Sequence, residues 1–278
     1  MNFAQFQLDP HLLAAVERAG YTAPTPIQEA GIPPALAGHD LIGTAQTGTG
    51  KTAVFVLPIL QKLLAGPRNR TRALIIAPTR ELAEQIHETF RDFAAGTRIR
   101  SAAVYGGVGA APQIKALQNG TEVIVACPGR LLDLIGQGYA QMGGIEVLVL
   151  DEADRMFDMG FLPDIRRIIS YVPKQRQTML FSATFPAEVE QLAACILSRP
   201  QRVAAGIICP ARTVSHALYP VANNLKTKLL LAILRQTDTE SVLIFTRTKQ
   251  RARRLAEQIE RAGYKVTSLH GNRTQGQR

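Results

Sequence analysis

No apolar run in this sequence approaches the roughly 20 residues that a membrane-spanning helix needs, so a membrane partner is not expected. The opening stretch Met1-Asn-Phe-Ala-Gln-Phe-Gln-Leu-Asp9 has no basic start and no apolar core, which argues against a signal peptide. Cysteine is scarce. Cys127, Cys195 and Cys209 lie far apart without metal-ligand spacing, so incidental thiols in a reducing compartment are expected. Internal repeats and low-complexity segments are also missing. These absences point to a soluble, cytoplasmic, globular protein.

What is present is a chain of 278 residues, 46% apolar and 19% charged, enough to core one large domain or up to two ordinary ones. A net charge of +10 invites a nucleic-acid reading, but the charge is unevenly placed. From Ser241 to Arg278, nine Lys and Arg stand against Glu257 and Glu260 alone. The first 240 residues hold 23 basic and 20 acidic side chains, so their function must be read from motifs.

Strand-like apolar runs alternate with helical patterns. The runs are Asp40–Thr44, Ala73–Ala77, Ser101–Tyr105, Glu122–Ala126, Val147–Leu150 and Gln177–Ser182, and Glu81–Phe90 typifies the amphipathic segments between them. Continuous apolar strands separated by helices predict a doubly wound, mostly parallel α/β sheet, with ligands beyond the carboxyl ends of its strands. Periodicity fades near Ile207, which divides the chain into a first domain 1–207, a linker 208–225 and a partial second domain 226–278. In that last part the pattern reads helix Lys226–Arg235, strand Ser241–Phe245, helix Lys249–Ala262 and strand Lys265–Leu269.

Two motifs fall at strand ends. The loop Ala45-Gln46-Thr47-Gly48-Thr49-Gly50-Lys51-Thr52 has the composition of a phosphate loop. Its glycines let backbone N–H groups converge on phosphate at a helix start, Lys51 reaches the β- and γ-phosphates, and Thr52 can ligate Mg²⁺. About a hundred residues later, Asp151-Glu152-Ala153-Asp154 closes an apolar strand with carboxylates suited to holding Mg²⁺ and activating water. In this order and at this distance the two describe one ATP site. They also resemble, nearly letter for letter, the DEAD-box RNA helicases, whose phosphate loop likewise begins with Ala where the generic pattern has Gly.

The resemblance runs from Phe3 to Arg278 and implies a RecA-like P-loop NTPase domain followed by an incomplete second RecA-like domain. It implies that Asp151 holds Mg²⁺ largely through water and that Glu152 orients and deprotonates the attacking water. Asp154 would link the site to Ser182-Ala183-Thr184. Gly20-Tyr21-Thr22-Ala23-Pro24-Thr25-Pro26-Ile27-Gln28 is similar to the family's adenine-reading motif, with Gln28 reading the base and Phe3 and Tyr21 packing against it. Pro78-Thr79-Arg80, Gly106-Gly107 and Pro128-Gly129-Arg130 resemble its RNA-facing segments, offering hydroxyls, helix-start N–H groups and arginines to sugar-phosphate. No aromatic platform stands among them, so sequence-independent backbone binding is expected. Cys127 departs from the usual Thr or Ser, and a thiol is the weaker hydrogen-bond partner.

In the second part, Val242–Lys249 with Arg247, and Gln275 through Arg278, resemble two further RNA-contacting motifs, and His270-Gly271-Asn272 is most like the bacterial RhlE-type branch. Arg247, Arg251, Arg254 and Arg261 recur at helical spacing, either as a solvated face or as a phosphate-tracking stripe. The family's last two motifs, which include its arginine fingers, are not within these residues. The expectation is an ATP-dependent RNA helicase, monomeric, with ribosomal or RNA-decay assemblies as partners. Its alternatives are an ATP- and RNA-binding module with little hydrolysis of its own, and an ATPase acting on DNA.

Overall fold

The structure, a computed structural model, describes residues 2–45, 48–204, 214–273 and 277. The chain divides into two compact units, Met1–Ile207 and Ile208–Arg278. Seven strands form the first: β1 (Leu41–Thr44), β2 (Ala73–Ile76), β3 (Ser101–Val104), β4 (Val123–Ala126), β5 (Val147–Leu150), β6 (Gln177–Ser182) and β7 (Gln201–Ala204). Their order is β3-β4-β2-β5-β6-β1-β7, and every ladder is parallel.

β2, β4, β5 and β6 are buried along their whole length, which is why they read as unbroken apolar runs. Alternate residues feed two cores. One contains Leu41, Ile75, Val123, Val125, Val149 and Phe181 under the helices α1 (Pro10–Arg18), α2 (Pro26–Leu36), α3 (Lys51–Leu64) and α4 (Arg80–Phe93). The other contains Ile42, Leu74, Ile76, Ile124, Leu148 and Leu180. It is covered by α5 (Ala111–Gln118), α6 (Pro128–Gly136), α7 (Ala153–Asp158), α8 (Leu162–Tyr171) and α9 (Ala187–Ile196).

At the amino ends of the strands, Arg72 forms two bonds to Glu146, at 2.7 and 3.0 Å, and donates to the Ala65 carbonyl at 2.8 Å. The same guanidinium lies 3.4 Å from the carbonyls of Lys62 and Leu63. One buried arginine thus satisfies the orphan carbonyls that end α3 and pins that helix to β2 and β5.

The wholly parallel sheet is the doubly wound α/β fold expected from the sequence. The sequence reading departs from this architecture in two places. β7 was not anticipated, because only Val203 of its four residues is buried and a single apolar residue carries no period. In the second unit, α10 (Lys226–Gln236) and α11 (Lys249–Arg261) form, but the described residues show no strand at Ser241–Phe245 or Lys265–Leu269. A helix closes its own hydrogen bonds, whereas a strand needs a neighbour. Val242, Leu243, Phe245 and Leu269 are left exposed. Of the expected linker, 208–213 lies outside the described residues, as does Cys209. Among the described residues no helix is long and apolar enough to cross a membrane.

Candidate functional site

β5, β6 and β1 are adjacent, and each delivers one motif at its carboxyl end. The loop after β1 turns through Gly48 (φ +87°) and Gly50 (φ +91°), a left-handed backbone that side chains rarely adopt. At Gly50 a Cβ would also come within 2.5 Å of Gln28 Nε2, so glycine is required twice over. α3 starts at Lys51, with Gly50 at its N-cap, and points its free N–H groups into this loop. Ala45 is buried and its N–H meets the Ser182 carbonyl at 3.3 Å. Thr52 is half-buried on the first turn of α3, while Gln46 and Thr47 lie outside the described residues.

Lys51 Nζ sits 3.4 Å from Asp151 Oδ1, with side chains 6% and 1% exposed. Burial pushes the Asp151 carboxyl up, Lys51 draws it back, and neighbouring Glu152 adds to the rise. Asp151 also accepts the Glu152 N–H at 3.0 Å. Glu152 itself is left-handed (φ 53°, ψ 54°), a strained conformation for a non-glycine residue, and its carboxylate takes Arg155 Nη1 at 3.3 Å. The strain turns the chain sharply between β5 and α7, at the point where a reacting group would be displayed.

Asp154 joins the acidic turn to the end of β6. Its Oδ2 accepts the Thr184 N–H at 2.9 Å and the Thr184 hydroxyl at 2.8 Å. Its own N–H donates to Ser182 Oγ at 3.1 Å, and Ser182 Oγ donates on to the Thr184 carbonyl at 2.7 Å. Burial raises the Asp154 carboxyl, but the Thr184 and Ser182 contacts outweigh it and hold it below the usual carboxylate value.

The segment before α2 is tied to the phosphate loop. Gln28, 1% exposed, accepts the Thr25 N–H at 2.9 Å and donates to the Gly50 carbonyl at 3.0 Å. Thr25 Oγ1 donates to the Thr49 carbonyl at 2.9 Å. Thr25 was not singled out from sequence, although Thr-x-x-Gln is a helix-start signature that could have found it. Phe3 is buried in an edge-to-face aromatic series, Phe6–Phe3–Tyr21–Phe93, with ring centroids 5.5 to 5.9 Å apart.

A second cluster lies beyond β2, β4 and β3. The Arg80 guanidinium covers Gly107, where a Cβ would come within 2.8 Å of Nη2 and where φ is +82°. Arg130 Nη2 donates to the Val108 carbonyl at 3.2 Å, so the two arginines flank one loop. Nη1 of each is shielded and has no hydrogen-bond partner. Thr79 caps α4 by accepting the Leu82 N–H at 3.3 Å. Pro78 and Pro128 are buried, Gly129 is exposed, and Cβ positions at Gly106 and Gly129 face open space.

Gln113, missed from sequence, clamps the base of this loop: its Oε1 takes the Tyr105 N–H at 3.2 Å and its Nε2 reaches the Tyr105 carbonyl at 3.1 Å. The Tyr105 hydroxyl bonds Glu84. Cys127 stands at the N-cap of α6 without a side-chain cap bond, as its weak thiol implies. Burial pushes that thiol up to about 11, with Glu81 adding and Arg80 opposing.

In the second unit Arg247 is exposed but precedes α11, whose N-cap is Thr248, so it does not belong to that helix's spacing. Gln275 and Arg278 lie outside the described residues.

A glycine loop opening a helix after β1, with an acidic turn after nearby β5 of a wholly parallel sheet, defines a RecA-like P-loop nucleotide-binding protein. Comparison with known proteins carries this further. The DEAD/DEAH box helicase profile matches residues 25–192, and the helicase conserved C-terminal domain matches 225–278. The chain belongs to the DEAD-box helicase family. It is 41% identical over 283 residues to DEAD-box ATP-dependent RNA helicase 30 of Arabidopsis thaliana, covering 99% of this chain and 48% of that protein. It is 42% identical over 285 residues to human ATP-dependent RNA helicase DDX42, covering 100% of this chain and 30% of that one. It therefore spans about half or less of these relatives. The crystal structure of a DEAD box protein from the hyperthermophile Methanococcus jannaschii is similar at TM-score 0.71 and 32% identity, covering 100% of this chain and 75% of that one.

Proposed function

We propose that this chain carries the ATP-binding and RNA-facing part of an ATP-dependent RNA helicase, in which RNA-stimulated hydrolysis drives local duplex opening. The observation that supports it best is the convergence, at three adjacent strand ends, of Lys51, the acidic turn 151–154 and the Asp154–Thr184 bridge. ATP would place its phosphates on the start of α3 under Lys51, with Gln28 beside the base. Glu152 would orient and deprotonate the attacking water. The Asp154 bridge would pass changes at the acidic turn to the end of β6.

The oxygen donors Asp151 and Thr52 fit Mg²⁺, which favours few protein ligands plus water and phosphate and would neutralise phosphate charge there. The guanidiniums of Arg80 and Arg130, which flank the 106–109 loop, suit the phosphate oxygens of an RNA strand laid over it.

The reading extends to a cytoplasmic monomer working on RNA in ribosomal or RNA-decay assemblies, and to the bacterial RhlE-type branch on the strength of His270-Gly271-Asn272. ATP turnover measured with and without single-stranded RNA tests its core. Stimulation by RNA but not by DNA, reduced by Arg80→Ala or Arg130→Ala, is the expected result. ATP binding without RNA-stimulated turnover would favour the binding-module alternative, and equal stimulation by DNA would remove RNA from the proposal.

A further inference from the structure

The sequence places Arg251, Arg254 and Arg261 at helical spacing, and the structure shows which face of α11 (Lys249–Arg261) turns inward. Leu255 and Ile259, 7% and 4% exposed, fix its inward face. Projected at 3.6 residues per turn, the remaining side chains separate into two flanks. One carries Lys249, Arg253, Glu257 and Glu260, and it is internally neutralised: Arg253 Nε bonds Glu257 at 3.1 Å. The other carries Gln250, Arg251, Arg254, Gln258 and Arg261, all exposed, with no acidic member. Among the described residues, Arg254 and Arg261 make no salt bridge, and the Arg251 guanidinium bonds only the Thr227 hydroxyl, at 3.3 Å. Three guanidiniums and two amides thus line about 17 Å of helix at 1.5 Å per residue.

We infer that this flank is a docking surface for the phosphate backbone of RNA, a contact additional to the motif residues. Guanidinium groups grip phosphate oxygens in pairs, and glutamine amides donate to phosphate and ribose without reading sequence. An acidic protein surface would be served as well by a mixed flank. A bare polyanion gains from a flank cleared of carboxylates, and that separation favours nucleic acid. The inference rests on the RNA reading above.

Its test uses the full chain and a fluorescent oligouridine across a salt series. Arg254→Gln with Arg261→Gln keeps good helix formers on an exposed face, so circular dichroism should not change. Two lost phosphate contacts should make the slope of log K against log[salt] shallower by about 1.4 for a single strand. The paired control, Arg253→Gln with Lys265→Gln, both exposed and off this flank, should change it far less. Equal losses from both pairs would reduce the surface to bulk charge, and no loss from Arg254 and Arg261 would remove it. Stronger retention on phosphatidylserine vesicles than on RNA would also overturn it. A wild-type chain that does not bind RNA would instead sink the function proposed above, and this surface with it.

Discussion

Gln28 and Gly50 are joined by a 3.0 Å hydrogen bond from the glutamine amide to the glycine carbonyl, at a glycine whose backbone is left-handed. The residue placed to read the base is therefore also a strut of the phosphate loop. Its oxygen holds the Thr25 N–H at the same time.

Gln28→Ala should consequently do more than erode a preference for ATP over GTP. Both bonds vanish together, and each is worth about 1 kcal/mol, so affinity for either nucleotide should fall by up to roughly thirtyfold. Fluorescent-nucleotide titrations check both effects. Loss of ATP preference with unchanged overall affinity would leave Gln28 a base reader with no bracing role.

Lys51→Ala should abolish nucleotide binding, and it should also cost stability, which the motif by itself does not suggest. Asp151 is 1% exposed and loses its cation, a change worth about 3 kcal/mol. Its carboxyl is already pushed up by burial, so the folded state holds the proton more tightly than the unfolded chain does. The stability from that extra affinity is present at low pH and disappears as pH rises through the raised value. The melting deficit of the variant should therefore widen from acidic to neutral pH. A deficit independent of pH would mean Asp151 is not its source.

Glu152→Asn should separate stability from activity. Asparagine tolerates the left-handed conformation that costs glutamate about 1 kcal/mol, and the partner it loses, Arg155, is itself 58% exposed and adds little. A rise in melting temperature together with at least a hundredfold loss of ATP turnover is expected if Glu152 is the general base. A fall in both would point to a structural role.

Cys127→Ser should add the missing cap to α6 and stabilise the protein by about 1 kcal/mol, read from thermal unfolding. In the wild type, the thiol held up to about 11 should resist iodoacetamide at pH 8, while exposed Cys195 is modified first. Mass spectrometry of partly labelled protein gives the order, and earlier labelling of Cys127 would contradict its burial.

The sequence by itself determined the periodic parts of this protein. Six strands were legible, four of them because a doubly covered parallel sheet demands unbroken apolar runs, and the phosphate loop and acidic turn because their chemistry fixes residue types at fixed spacings. Only the tertiary structure decided that β1, β6 and β5 stand side by side, since strand order leaves no trace in local pattern. The same holds for long-range bonds: Gln28 to Gly50 and Gln113 to Tyr105 depend on close approach, which residue spacing does not encode, whereas the Asp154–Thr184 link was implied by the family resemblance. It was equally silent on β7, where one buried valine sufficed, and on Ser241–Phe245, where a strand-forming composition found no neighbour to pair with. A helix carries its hydrogen bonds within itself and can be read from its own residues, whereas a strand or a site exists only in what comes to lie beside it.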